Sequence, residues 1–164
     1  MHHAQLLFSK IIDANDIGIL TRYGITERDL STEGDRQVLR FLTAYADKNR
    51  NQTPSYAEVT AQCPDFNYAP EVGDSFEYLT REIKKHSAMT QFAELANGKL
   101  GEQFDSVGQK DIFKYLEWLQ LEVESIKLNT NTRSEIGVSL KSGAEAFLAE
   151  YRKRKAGESF KIWR

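Results

Sequence analysis

Apolar residues recur along the first third of this chain at the three- and four-residue spacing that places them on one side of a helix. The pattern predicts a helix over 3–14 and a short helix that begins at an Asp16 cap and ends at Gly24. A longer helix follows a cap at Ser31 and is broken by the polar, proline-containing stretch 49–54. Its strong apolar face consists of Val38, Leu39, Phe41, Leu42 and Tyr45.

The middle of the chain predicts one short and one long helix with a loop between them. Ser55 caps the short helix, and residues 65–73 form an ordered loop. Asp74 then caps a helix of about twenty residues that ends near Gly98. Three glycines between Gly98 and Gly108 indicate a turn region.

A second long helix, predicted from Gln109 to about Leu128, carries a heptad pattern, and we expect it to pair with the first long helix as an antiparallel hairpin. Its apolar residues, spaced four, three, four and three apart, are Ile112, Leu116, Leu119, Val123 and Ile126. Two interpretations of this seam stay open. It is core within the hairpin, or it joins copies of the chain, and the same residues can serve both purposes.

These elements predict an all-α protein, because no segment alternates convincingly as a strand. We expect a small helical head over 1–73, the helical hairpin over 74–130, and a hinge with a C-terminal linker helix over 131–164. The polar stretch 129–134 has the composition of a hinge.

The predicted linker helix has an apolar side and a basic end. Phe147, Leu148 and Tyr151 form the apolar side, which is more stable buried than exposed to water. The basic turn consists of Arg152, Lys153, Arg154 and Lys155. These cations either complement the negative end of the helix dipole or contact phosphates of DNA.

Composition narrows the class of protein. Hydrophobic residues make up 40% and charged residues 28%, and the net charge is −2, which argues against wholesale electrostatic binding to nucleic acid. The single cysteine, Cys63, cannot form an internal disulfide and is predicted to be a small packed residue in a cytoplasmic protein. No apolar run reaches the length of about 18 residues that a membrane span requires.

Charge is unevenly distributed along the chain. Residues 56–82 contain six acidic residues and one arginine, a net charge of −5, whereas 150–164 contain six basic and two acidic residues, a net charge of +4. The acidic run is either a solvated face or a surface for a partner, for which Glu71 and Glu77 are the candidates.

Motifs for catalysis, cofactors and metals do not emerge from the sequence. Gly98-Lys99 is followed by Leu100, so it does not form a phosphate-binding loop. The histidines at 2, 3 and 86 lack the spacing of metal ligands, and His86 falls on the polar side of a helix. We therefore predict no catalytic, cofactor-binding or metal-binding residue.

Three segments carry a resemblance to a known family. They are 53–56 (Thr-Pro-Ser-Tyr), 74–82 (Asp-Ser-Phe-Glu-Tyr-Leu-Thr-Arg-Glu) and 147–160, which contains the basic turn. Together they resemble the N-terminal region of DnaB-type replicative DNA helicases, particularly phage-type members, and the resemblance covers essentially the whole chain. The C-terminal segment resembles the linker helix that precedes the RecA-like motor.

The resemblance implies a scaffolding role in DNA replication. In this family a head and a hairpin build a collar on a hexameric ring and contact primase or a loader, while the linker docks on a neighbouring motor. The motor motifs lie beyond Arg164 in such proteins, so ATP and Mg²⁺ would bind outside this chain and no enzymatic activity is expected of it. Two alternatives stay open: a stand-alone helical adaptor or loader-like replication protein, and a small nucleic-acid-binding module.

Overall fold

The computed structural model describes residues 2–131, which all belong to one compact unit and are helical without any strand. The predicted all-α class is therefore confirmed. Of the predicted hinge 129–134, Asn129 and Thr130 end the last helix, whereas the residues beyond 131, with the predicted linker helix, lie outside the described residues. The seven α-helices of the described part are α1 His3–Ala14, α2 Gly18–Tyr23, α3 Glu33–Lys48, α4 Tyr56–Gln62, α5 Phe76–Glu94, α6 Leu100–Gln103 and α7 Ile112–Thr130.

Helix α1 is the centre of the hydrophobic core. Leu7, Phe8 and Ile11 are completely buried, as their helical spacing predicts. The first half of α5 packs on α1 and adds Leu79 and Ile83 to the same core. The core is therefore not confined to the predicted head over 1–73, because α5 completes it.

Helix ends in the first quarter use the residues best suited to a left-handed backbone. Asn15 ends α1 with φ 48°, and its side-chain oxygen accepts hydrogen bonds from the backbone and the hydroxyl of Thr53. Gly24 ends α2 with φ 63°, where glycine avoids the steric penalty of a Cβ. Asp16 lies ahead of α2, and its carboxylate accepts a hydrogen bond from the Gly18 backbone at 3.0 Å. The ends at Asn15 and Gly24 agree with the predicted boundaries, whereas the N-cap position of α2 is Ile17 and not Asp16.

Two further predicted helix caps are wrong by one residue. Thr32, not Ser31, caps α3 and accepts from the Asp35 backbone, while Leu30 is buried and holds the turn in that register. Ser75, not Asp74, caps α5 and accepts from the Tyr78 backbone. The Ser55 cap of α4 is where it was predicted.

The predicted turn between the long helices is also misplaced. The backbone stays helical past Gly98, through two wider π-helical turns at Leu95–Lys99 and Phe104–Gly108 that flank α6. Buried Leu95 helps to hold this extension in place against the low helix propensity of glycine. The chain reverses only after Gly108, and Asp111 caps α7.

No helix among residues 2–131 is long and apolar enough to cross a bilayer.

Candidate functional site

Helix α7 returns alongside the long helical segment that begins with α5. Lys84 bonds to Asn129 near one end of the pair, whereas the Tyr115 hydroxyl donates to the Leu100 carbonyl near the other end. Between these points Lys99 lies 3.8 Å from the carboxylate of Glu122. The contacts run in opposite directions along the two segments, so the segments are antiparallel.

Helix α7 is only partly covered by this pairing. None of its residues is buried, although a stripe at helical spacing is half-buried. Most of that stripe consists of Tyr115, Trp118, Leu119, Glu122 and Ile126. The rings of Phe104, Tyr115 and Trp118 contact one another in series and close the tip of the hairpin. One side of α7 is thus held by aromatic contacts and the remainder is open.

The structure divides the predicted heptad seam between these two sides. Leu119 and Ile126 belong to the half-buried stripe, so the core interpretation holds partly for them. Ile112, Leu116 and Val123 are 44%, 50% and 38% exposed, so the core interpretation does not hold for them. We call these three residues the seam face. Partial pairing explains the division, because α7 turns its aromatic residues, rather than the centre of the seam, towards the other segment.

The seam face has the chemistry of a contact surface and not of a reaction centre. Its side chains are branched aliphatic groups on a rigid helix, the kind that pack as knobs into holes of a facing helix. Exposed Phe113 at the start of α7 extends the apolar surface near the tip. Contiguous exposed apolar residues of this kind mark interaction sites on folded proteins.

A buried cation that the sequence did not reveal joins the hairpin to the head. The Lys84 ammonium donates to the carbonyl oxygens of Gly24 and Asn129 at 2.7 and 3.0 Å and to Asp29 at 2.7 Å. Asp29 also accepts from the backbone and hydroxyl of Thr26. All three ammonium donors of Lys84 are used, which satisfies a charged group that burial would otherwise destabilise. Tertiary packing alone assembles this set from distant segments.

The two candidate partner residues are both exposed, one before α5 and one within it. Glu71 sits in the loop before α5 with φ 53°, and Glu77 is in the first turn of α5. Both carboxylates are exposed and neither forms an ion pair among residues 2–131. Next to Glu71 along the loop, Tyr68 stacks on Tyr56, a pairing with no signal in the sequence.

The three histidines converge on one small pocket despite their separation in sequence. His2, His3 and His86 all line it, together with Glu82. His2 lies 3.4 Å from Asp35, which is buried and has one carboxylate oxygen without a hydrogen-bond partner in the described part. No group of three or more histidine, cysteine, aspartate or glutamate side chains in that part is placed to hold a metal ion.

Cys63 is a packed residue, as predicted. It is 4% exposed, and burial raises the pKa of its thiol above the ordinary range. A thiol kept protonated in this way is a poor nucleophile at neutral pH.

The remaining predicted sites fall outside the described residues. They are the docking side of the linker helix, Phe147, Leu148 and Tyr151, and the basic turn, Arg152, Lys153, Arg154 and Lys155.

Comparison of the chain with protein-family models, with curated proteins and with solved structures finds no match. The fold and its surfaces define an all-α protein whose helix α7 is partly covered and presents an exposed apolar seam face.

Proposed function

We propose that this chain is a non-catalytic scaffolding and partner-binding region of a hexameric, DnaB-type replicative DNA helicase. It assembles copies through its hairpin and contacts primase or a helicase loader in the cytoplasm. ATP and Mg²⁺ belong, in this proposal, to the motor domain of the parent helicase. DNA is held mainly by that motor and at most weakly by the region itself.

The observation that carries the proposal is the exposure of the seam face. Ile112, Leu116 and Val123 follow a heptad spacing that suits a facing helix, yet they remain open on the folded hairpin. Burying such side chains removes apolar surface from water, at about 25 cal/mol for each Å². A second copy of the same hairpin offers a matching heptad surface, which favours self-association.

The carboxylates of Glu71 and Glu77 support the second half of the proposal. They are exposed, lie away from the seam residues in sequence, and belong to the acidic run 56–82. A partner bound through this surface leaves the seam face free for assembly. Scaffolding and partner binding thus use different residues.

Replacement of Leu116 by Asp tests the assembly. The wild-type chain is expected to show a sedimentation coefficient that rises with concentration, whereas Leu116→Asp stays monomeric because a charge cannot be buried in the seam. Since Leu116 is half-exposed, the variant keeps its helical circular dichroism and cooperative unfolding.

The matched control is Leu128→Asp, an exposed leucine of the same helix roughly 120° around its axis from Leu116. This variant is expected to associate like the wild type. A wild-type chain that is monomeric over a wide concentration range contradicts the proposed assembly, and so does an equal effect of both substitutions.

A further inference from the structure

A stacked pair of tyrosines, of which Tyr56 is exposed and Tyr68 is half-buried, lies on the head, away from the seam residues in sequence. The rings of Tyr56 and Tyr68 are 4.7 Å apart between centroids and inclined by 15°. Tyr56 begins α4, and Tyr68 belongs to the loop that follows it. Tyr56 is 54% exposed although Tyr68 covers one of its faces, so its other face is open. A stacked ring with an open face is a preorganised platform for a planar or cationic group.

Negative charge surrounds the inner ring of this pair. The Tyr68 hydroxyl donates a short hydrogen bond to the Asp13 carboxylate. That bond, partial burial of the phenol and the negative charges of Asp13 and Glu71 together raise the pKa of Tyr68 above its ordinary value. Glu71 follows Tyr68 by three residues in the same loop, and its side chain is exposed. The inner ring of the stack therefore bonds to one carboxylate, from Asp13, and a second acidic residue, Glu71, belongs to its own loop.

Neither carboxylate is neutralised by a cation of residues 2–131. Asp13 and Glu71 form no ion pair in that range, unlike the acids Glu27 and Glu33, which share Arg40. The ammonium of Lys10 is directed elsewhere, to the carbonyl oxygens of Val72 and Asp74. Tyr56, Tyr68 and Glu71 all belong to the acidic run 56–82, which has a net charge of −5.

We propose that the Tyr56–Tyr68 pair, with Asp13 and Glu71, binds an arginine side chain in a basic segment of a partner protein. This inference rests on the proposed partner-binding function and assigns the chemistry of the partner. A guanidinium group can stack flat on an aromatic face while its N–H groups donate hydrogen bonds to carboxylates. It can therefore use both the aromatic ring and the acidic residues of this surface. An ammonium group is more strongly hydrated and does not stack, so lysine fits this platform less well. Nucleic acid is disfavoured because its phosphates are repelled by the same carboxylates.

Titration of the full chain with hexa-arginine, hexa-lysine and hexa-citrulline peptides tests this assignment by calorimetry. Hexa-arginine is expected to bind most tightly, hexa-lysine more weakly, and hexa-citrulline, which keeps the planar shape without the charge, most weakly of all. Added salt weakens the binding of hexa-arginine, because the site is exposed and charged.

Substitutions on the platform separate stacking from charge. Tyr56→Ala is expected to lower the affinity for hexa-arginine about three- to fivefold, whereas Tyr56→Phe retains it because the ring face is preserved. Glu71→Gln is expected to lower the affinity about two- to fivefold. Glu117→Gln, an exposed acid on α7 without an ion pair among the described residues, serves as the matched charge control and leaves the affinity unchanged.

The outcomes distinguish this inference from the proposed assembly. Leu116→Asp is expected to lose self-association and keep peptide binding. Tyr56→Ala is expected to keep self-association and bind the peptide more weakly. Absence of hexa-arginine binding overturns the inference while leaving assembly through the seam face intact. Equal affinity of wild type and Tyr56→Ala, or of hexa-arginine and hexa-citrulline, overturns it as well.

Discussion

At the scale of single residues, Lys84 determines how the hairpin meets the head. Its charge is buried, and its ammonium group bonds to three acceptors that come from separate places in the sequence, Gly24, Asp29 and Asn129. In the sequence Lys84 stands beside Lys85 and looks like one of two surface cations. Only the packing of α5 between the head and the end of α7 distinguishes them.

Loss of the buried ammonium is expected to destabilise the fold strongly. Lys84→Met leaves the Asp29 carboxylate buried without its cation, which costs about 3–5 kcal/mol in the free energy of unfolding. Chemical denaturation followed by circular dichroism measures the change. Lys85→Met is the matched control, since Lys85 is exposed and its salt bridge with Glu82 contributes at most about 1 kcal/mol. Similar values for the two variants are inconsistent with the role assigned to Lys84.

A second residue-scale prediction concerns pH. Arg40 bonds to Glu33 at 2.8 Å and to Glu27 at 2.7 Å and so ties α3 to the 3₁₀ turn Glu27–Asp29. These hydrogen bonds lower the pKa of both glutamates from the ordinary value of 4.5. A depressed carboxylate pKa stabilises the folded state above the unfolded-state pKa, and this stabilisation is lost as the pH falls through the folded-state pKa.

Arg40→Gln is therefore expected to lower Tm at pH 7, and the difference from the wild type should shrink and vanish as the pH falls well below 4.5. Thermal unfolding at pH values between about 7 and 3 measures it. Lys110→Gln, an exposed lysine without an ion pair in the described part, should show no such dependence. A difference in Tm that is independent of pH would rule out the ion pairs as its cause.

At the scale of helices, the sequence indicates where helices exist more reliably than where they end. Ser31 and Thr32 are neighbouring hydroxyls, and either can cap a helix, so burial of Leu30 decides which one does. Gly98 signals a stop by propensity, but the helix continues past it: Leu95 is buried on one side, and on the other Lys99 and the Leu100 carbonyl contact α7. A local sequence signal does not decide where a helix ends when tertiary contacts stabilise a different end by a similar free energy.

The glycines of the long helical segment give a prediction at this scale. A Cβ added at Gly98 or Gly101 meets no atom within 4 Å, whereas one added at Gly108 would lie 2.6 Å from the Phe104 ring. Gly98→Ala and Gly101→Ala are expected to raise the free energy of unfolding by about 0.5–1 kcal/mol each.

Gly108→Ala is the contrasting variant and is expected to lower the free energy of unfolding, because the Phe104 ring must move away from Tyr115. Chemical denaturation of the three variants measures these changes. Destabilisation by Gly98→Ala would indicate that the helical path through this segment is different from the one described.

At the scale of the whole molecule, the described residues 2–131 share one core, and among them the seam face and Tyr56 are exposed. Leu79 and Ile83, in the first half of α5, belong to the core around α1. The first half of α5 therefore packs in the head, and the remainder of the helix belongs to the hairpin. The seam face and the Tyr56–Tyr68 pair occupy different parts of the chain. Assembly of copies and binding of a partner can therefore be tested by separate substitutions, as the Leu116 and Tyr56 variants do.

The sequence by itself determined the helical class, the approximate positions of the helices and the residues of the core, because these follow from the spacing of apolar side chains. It also identified the five residues of the heptad seam as one apolar face of the helix. Only the tertiary structure divided that set, since the rotation of α7 against its neighbour decides which residues are covered. Only the tertiary structure shows the Lys84 contacts and the Tyr56–Tyr68 stack. These contacts join side chains from separate segments of the chain, and the local spacing of apolar residues does not predict them.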